Sequence, residues 1–278
     1  MSSQQIGMLY DRIRPEERLL IEAFEKKGVN LKLRHAEDLV FATPPATSEV
    51  QFEEVVLQRC VGYFRSLHST ALLESKGTTV INSLRVATIC GNKLLTSLAL
   101  AKKGIPTPRT MVAFTTDGAM KALDQIGYPA VLKPVTGSWG RLIAPMKDPE
   151  SARAILESRE FMFPLYQVYY LQEMIEKPSR DIRCFIVGEK AIAAIYRYSP
   201  PGEWRTNTAR GGRAENCEIT PEMGKLSLEA AEAVGGGVLG VDLMETASGL
   251  VVHEVNYSIE FRNTIPATGV DIPSGIVE

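Results

Sequence analysis

Val131-Leu132-Lys133-Pro134-Val135-Thr136-Gly137-Ser138-Trp139-Gly140-Arg141 places a lysine at the end of an apolar strand and follows it with a loop holding two glycines. Glycines let backbone N–H groups approach phosphate oxygens, while Lys133 and Arg141 supply positive charge. This is phosphate-cradle chemistry without a Walker A loop, because no Gly-Lys-Ser/Thr follows and no helix opens directly behind it. A strand-turn-strand hairpin with glycines serving its dihedral angles accounts for the same residues equally well.

A second stretch constrains the first. Asp242 and Glu254 lie on two strands joined through Thr246-Ala247-Ser248-Gly249, and a hairpin centred near residue 248 sets the two acids opposite one another. Like charges directly paired across a sheet repel, so the pairing calls for a compensating cation. Asn256 shares a strand face with Glu254 and lies diagonally from Asp242. Two carboxylates and an amide oxygen form a hard, all-oxygen donor set suited to Mg2+ carrying nucleotide phosphates. The alternative is that the acids face solvent or pair with arginines.

Further cations and polar groups flank these stretches. Lys93 stands near a helix start, where the helix dipole disfavours a cation, so either it is a solvated surface lysine or it has another use. Arg180-Asp181-Ile182-Arg183 leads into a strand with alternating charges. Arg197, Arg205, Arg210, Arg213 and Arg262, interspersed with Gly211-Gly212 and Thr206-Asn207-Thr208, suggest an anion pocket. Gln172-Glu173-Met174-Ile175 ends a strand whose backbone can read an adenine edge.

Outward from this centre the pattern is α/β, then α+β. Strands at Ile6 to Tyr10, Val29 to Leu33, Val55 to Gln58 and Thr79 to Ile81 alternate with helices at Pro15 to Lys27 and Phe64 to Ser75, which predicts a parallel sheet. A helical region from Leu84 to Lys103 is stopped by Gly104-Ile105-Pro106-Thr107-Pro108. Strands and helices then alternate to Glu157, and a strand-rich remainder holds one helix, Pro221 to Val234.

With 278 residues, a formal charge of −2 and 45% hydrophobic residues, the chain is an ordinary globular protein and not a disordered or fibrous one. Near-neutrality excludes a global attraction to nucleic acid or an anionic membrane, so any anionic ligand is held locally. Four scattered cysteines without Cys-x-x-Cys pairing predict reduced thiols and no zinc site. No leader-like N-terminus and no apolar run near ~20 residues occur, which predicts a cytoplasmic protein.

The order Lys93, Lys133, Gly137 to Arg141, Gln172 to Ile175, Asp181-Ile182-Arg183, Asn207, Asp242, Glu254 and Asn256 resembles the ATP-grasp superfamily over nearly the whole chain. Within it, the chain resembles the branch of ribosomal-protein and carrier-protein glutamate ligases. Asp11-Arg12-Ile13-Arg14, Asn207-Thr208-Ala209-Arg210-Gly211-Gly212, Ala214-Glu215-Asn216-Cys217 and Glu254-Val255-Asn256-Tyr257 carry the resemblance further. With Ser258-Ile259-Glu260-Phe261-Arg262-Asn263 they are similar to ligases that load α-aminoadipate onto an amino-group carrier protein for lysine biosynthesis.

The resemblance implies a three-lobed ATP-grasp fold with an N-terminal parallel-sheet domain (1–90), a central lobe (91–168) and a C-terminal lobe with the metal site (169–278). It implies ATP and Mg2+, with a small acidic amino acid and an acidic carrier protein as partners, and a homo-oligomer. ATP contacts would come from Lys93, Lys133, Gly137, Ser138, Trp139, Gly140, Arg141, Gln172, Glu173, Met174, Ile175, Asp181 and Arg183. Asp242, Glu254 and Asn256 would hold the metal, and Arg197 and Asn207 would steady an acyl-phosphate. Arg197, Asn207, Thr208, Asn256, Arg262 and Asn263 would bind the amino acid. The alternatives are a glutamate ligase acting on a carrier or a ribosomal-protein tail, and an ATP-binding regulatory module without catalysis.

Overall fold

The structure, a computed structural model, describes residues 5–42, 51–137, 140–203, 206 and 212–278. Its first lobe runs β1 (Ile6–Tyr10), α1 (Pro15–Lys26), β2 (Leu31–His35), β3 (Val55–Gln58), α2 (Tyr63–Ser75) and β4 (Thr79–Ile81). The strands form a parallel sheet in the order β2-β1-β3-β4, as the strand–helix alternation predicts. Gly28, at φ 67°, lets the chain turn back after α1.

Next come α3 (Leu84–Cys90) and α4 (Lys93–Lys102), so the expected single helical region is two helices. The break is chemical: Asn92 Oδ1 accepts from the N–H groups of Leu94 and Leu95, which caps α4 and fixes Lys93 as its first residue.

The middle lobe contains β5 (Thr110–Ala113), α5 (Thr116–Ile126), β6 (Ala130–Lys133), β7 (Ala144–Met146), α6 (Pro149–Glu160) and β8 (Tyr169–Glu173). Its antiparallel sheet has the order β5-β8-β6-β7. Ala130 and Leu132 on β6 and Tyr169 and Leu171 on β8 turn toward α5 and α6 and form that lobe's core. Strand period two therefore sends Val131, Lys133, Tyr170 and Gln172 to the other face.

The third lobe follows with β9 (Arg180–Val187), β10 (Lys190–Tyr198), β11 (Arg213–Asn216), α7 (Pro221–Val234), β12 (Val238–Thr246), β13 (Gly249–Asn256), α8 (Thr264–Thr268) and α9 (Ile272–Val277). Its sheet order is β11-β10-β9-β12-β13, antiparallel throughout. One face, with Ile182, Cys184 and Ile186 of β9, packs on α3, α4 and α7. The opposite face is divided along its length. Phe185, Ala193, Ile195 and Val238 join Met8, Leu20 and Phe24 of the first lobe in a shared core closed by Ile259, Phe261 and Ile272. Its other end carries Asp181, Arg183, Arg197 and Asp242.

Two lobe limits therefore differ from the expectation. The strand at 169–173 completes the middle sheet instead of opening the third lobe, because β8 bonds to both β5 and β6. Residues 91–102 pack on the third lobe's α7 and β13, where Leu100 is buried. Neither was legible, since strand partnership and helix docking are decided by residues distant in sequence. The four cysteines are all buried and free.

Candidate active site

The uncovered face of the middle sheet and the polar half of the third sheet enclose a cleft of about 290 Å3. Lys133 ends β6 there, 6% exposed, and donates through Nζ to Gln172 Oε1. Gln172 is held in turn by Thr110 Oγ1 at 3.0 Å and Tyr170 Oη at 3.2 Å. Gln172 thus aims the lysine from the cleft wall. Burial, and the nearby Lys93 cation, bring the Lys133 ammonium down to about 7 despite Glu254.

Lys93 projects from the first turn of α4. Its Nζ lies 3.0 Å from Glu254 Oε1 and 3.0 Å from the Gly137 carbonyl oxygen, so one cation links the glycine loop to the acidic hairpin. Its own N–H bonds the Val135 carbonyl oxygen at 2.7 Å. With its side chain 14% exposed and paired with Glu254, Lys93 is not a solvated surface lysine.

The hairpin pairs Asp242 with Glu254, as its centre predicts, but by an unpredicted route. The turn is Ala247-Ser248, with Thr246 opposite Gly249 and Leu243 opposite Val252; a β-bulge at His253 restores the Asp242–Glu254 pairing. The bulge brings His253 to the cleft beside Glu254, its Nδ1 3.4 Å from Lys133 Nζ. Burial and the adjacent Lys133 charge hold this imidazole well below its ordinary pKa, so it is neutral. Sequence reasoning passed over His253. The available signal was arithmetic: a two-residue turn at 247–248 pairs residues summing to 495, whereas the acids sum to 496, which requires one extra residue.

Asp242 is 3% exposed and lies between two arginines. Arg183 donates to both of its oxygens at 2.7 and 2.8 Å, and Arg197 Nη2 is 3.0 Å from Oδ2. Burial alone would raise this carboxyl's pKa, but the two guanidiniums hold it below the usual carboxylate range. Arg197 also donates to both oxygens of Asp181 at 2.7 and 2.8 Å, and Thr206 Oγ1 donates to the same carboxylate. Asp181 and Arg183 therefore orient the cleft's anions and cations rather than reaching out alone. Cross-strand register does this: Arg197 faces Asp181, and Asp242 faces Arg183.

Asn256 Nδ2 donates to Asp242 Oδ2 at 3.2 Å, so Asp242, Glu254 and Asn256 converge as expected. The alternative pairing of the acids with cations is also realised. The oxygen donors suit Mg2+ in kind. Among the described residues no group of three or more His, Cys, Asp or Glu forms a metal cluster, so this donor set depends on the amide.

Gly137, Gly140, Arg141, Glu173, Met174 and Ile175 also line the cleft. The Glu173 and Met174 N–H groups are already bonded to Arg109 and Pro129 carbonyls at 2.9 and 3.3 Å, so the strand end is less free than expected. Arg262 and Asn263 are exposed and do not line the cleft; Ser258 and Glu260 of the same segment do. Ser138, Trp139, Asn207 and Thr208 lie outside the described residues. From the first lobe come Arg14, Val61 and Tyr63, which sequence reasoning did not place in the site.

Residues 90–278 match the RimK-like ATP-grasp domain, and residues 6–89 match the LysX preATP-grasp domain. The chain is 36% identical over 265 residues to the alpha-aminoadipate–LysW ligase LysX of Saccharolobus solfataricus, covering 95% of this chain and 96% of that one. It is 34% identical over 277 residues to the glutamate–LysW ligase ArgX of Sulfurisphaera tokodaii, covering 99% and 97%. Among solved structures, a RimK domain ATP-grasp protein from Sphaerobacter thermophilus superposes with a TM-score of 0.81 at 28% identity, covering 98% of this chain and 97% of the other.

Proposed function

The chain belongs to the RimK-like ATP-grasp family, and on that premise we propose that it is an ATP-dependent carboxylate–amine ligase loading α-aminoadipate onto a LysW-type carrier protein in the cytoplasm. The γ-phosphoryl group of ATP passes to the side-chain carboxylate of the carrier's C-terminal glutamate, releasing ADP. The α-ammonium of the bound amino acid loses a proton, the resulting neutral amine attacks the acyl carbon, and phosphate and a second proton depart as the amide forms.

The observation that carries this reading is Lys93 Nζ, shared between the Gly137 carbonyl and Glu254 at 3.0 Å each. It puts the glycine loop, a phosphate-binding cation and a metal-type carboxylate within one contact. Phosphoryl transfer needs alignment and charge neutralisation more than covalent help. Lys93 and Lys133 hold the phosphates, and the backbone of Met174 and Ile175 reads adenine. Arg197, anchored between Asp181 and Asp242, neutralises the acyl-phosphate with Asn207. The Gly137-to-Arg141 loop excludes water, which would otherwise intercept the acyl-phosphate. Asp242, Glu254 and Asn256 would hold Mg2+, which supplies charge neutralisation at the phosphates when bound.

The relatives divide between aminoadipate and glutamate at 36% and 34% identity, so overall identity does not choose between them. The segment Ser258-Ile259-Glu260-Phe261-Arg262-Asn263 supports aminoadipate and, with it, a role in lysine biosynthesis. Purified protein incubated with Mg-ATP, carrier and either amino acid tests this by ADP release and carrier mass. A mass gain with α-aminoadipate is expected; a gain with glutamate alone assigns the chain to the glutamate reaction, and ADP release without any gain overturns the carrier.

A further inference from the structure

At the first-lobe side of the cleft, Arg14 Nη1 lies 3.5 Å from Glu260 Oε1. The Arg14 side chain is 14% exposed and that of Glu260 38%, and both line the cavity. An ion pair this open and this long contributes about 0–1 kcal/mol, so stability does not account for it.

Its surroundings are built far more firmly than the pair itself. Arg14 Nε and Nη2 donate to the two oxygens of Glu17 at 2.9 and 2.7 Å, which fixes the guanidinium plane and leaves Nη1 toward the cavity. Glu17 is fully buried and is shared with Arg59 at 2.7 Å. Arg59 in turn donates to the Ile259 carbonyl oxygen at 3.1 Å, and Glu16 Oε1 accepts from the Arg262 N–H at 3.3 Å. The first lobe thus grips the segment carrying Glu260 on both sides of it. In the same segment, Ser258 lines the cavity, and its Oγ is buried with no hydrogen-bond partner among the described residues.

We propose that Arg14, Ser258 and Glu260 form the receptor for the head group of the amino-acid substrate, Arg14 and Ser258 taking the α-carboxylate and Glu260 the α-ammonium. A zwitterion presents an anion and a cation one carbon apart, and it inserts into a loosely closed pair of opposite charges by matching each. Glu17 and Arg59 hold the cation and the loop in place beforehand, so little ordering remains at binding. The head group is common to aminoadipate and glutamate, so this receptor reads the α-amino-acid class and leaves side-chain length to other residues. The inference rests on the ligase reading above.

The test compares α-aminoadipate with 5-aminopentanoate, the same amine without its α-carboxylate, in carrier ligation by the full-length protein. Wild-type protein is expected to favour the amino acid strongly. Arg14→Met is expected to raise KM for the amino acid about tenfold or more, leave that for 5-aminopentanoate and ATP unchanged, and so erase the preference. Glu260→Gln, at a third-exposed position, is expected to raise KM for both amines while the melting temperature holds. An unchanged amino-acid KM in Glu260→Gln, or an Arg14→Met protein that stays folded and keeps its preference, overturns the proposal. Should wild type ligate neither amino acid, the ligase reading has failed. Calorimetric binding of α-aminoadipate to wild type and Glu260→Gln then decides the receptor, equal binding or none overturning it.

Discussion

Lys133 and Asp242 show how single residues at this site couple function to stability. Lys133 is buried with its ammonium brought down to about 7 from an ordinary 10.5, so between those values the unfolded chain binds more protons than the folded one. The unfolding free energy of ligand-free protein therefore rises with pH across that window, by at most about 1.4 kcal/mol per unit from this group. Lys133→Met is expected to flatten that rise in urea titrations between pH 7 and 10, and to raise KM for ATP about tenfold or more. Asp242 works in the opposite sense: its depressed pKa gives stability that is lost as pH falls into the acid range. Asp242→Asn leaves Arg183 and Arg197 facing a neutral group, and is expected to cost about 3 kcal/mol in urea unfolding besides abolishing Mg-dependent ligation.

At the scale of elements, close approach decides several positions that look like ordinary punctuation in sequence. Gly91 separates α3 from α4, and a Cβ there would lie 2.0 Å from the Tyr63 ring and 2.7 Å from the Ala87 carbonyl oxygen. Gly91→Ala is expected to destabilise by about 1–3 kcal/mol, read as a lower urea midpoint, because the ring must leave its place in the cleft wall. The alternation of Arg180-Asp181-Ile182-Arg183 was legible as a strand with one polar face. That Arg197 would stand opposite Asp181 was not, because β9 and β10 register is settled by the bulge between Ala191 and Ala193. Likewise the Asp242–Glu254 pairing was readable from the hairpin, while the bulge that produces it and delivers His253 was not.

For the molecule as a whole, the cleft depends on the first and third lobes keeping one relative position. Asn82 supplies a fastening between them: its Nδ2 donates to the Val238 and Tyr257 carbonyls at 2.8 and 2.6 Å, and its Oδ1 accepts from the Val238 N–H at 2.8 Å. Asn82→Ala strips partners from buried backbone groups and is expected to cost about 2–4 kcal/mol in urea unfolding. Tyr257 adjoins Ser258 and Glu260, so the same variant is expected to raise KM for the amino acid. The shared core of Met8, Leu20, Phe185, Phe261 and Ile272 fixes the same junction with apolar contacts. No helix among the described residues is long and apolar enough to cross a membrane.

The sequence by itself determined the parallel first sheet, the strand ending at Lys133, the acidic hairpin and the family, because each rests on local periodicity or on motifs kept in order. Only the tertiary structure decided which sheet owns Tyr169–Glu173, that Lys93 bridges Gly137 and Glu254, and that Gln172, Asp181 and Arg183 orient other groups. It also decided that Arg14 faces Glu260 across nearly the whole length of the chain. These are contacts between residues far apart in sequence. They arise where buried charges and backbone groups must find partners once the lobes have packed, and no local pattern encodes which partner that will be.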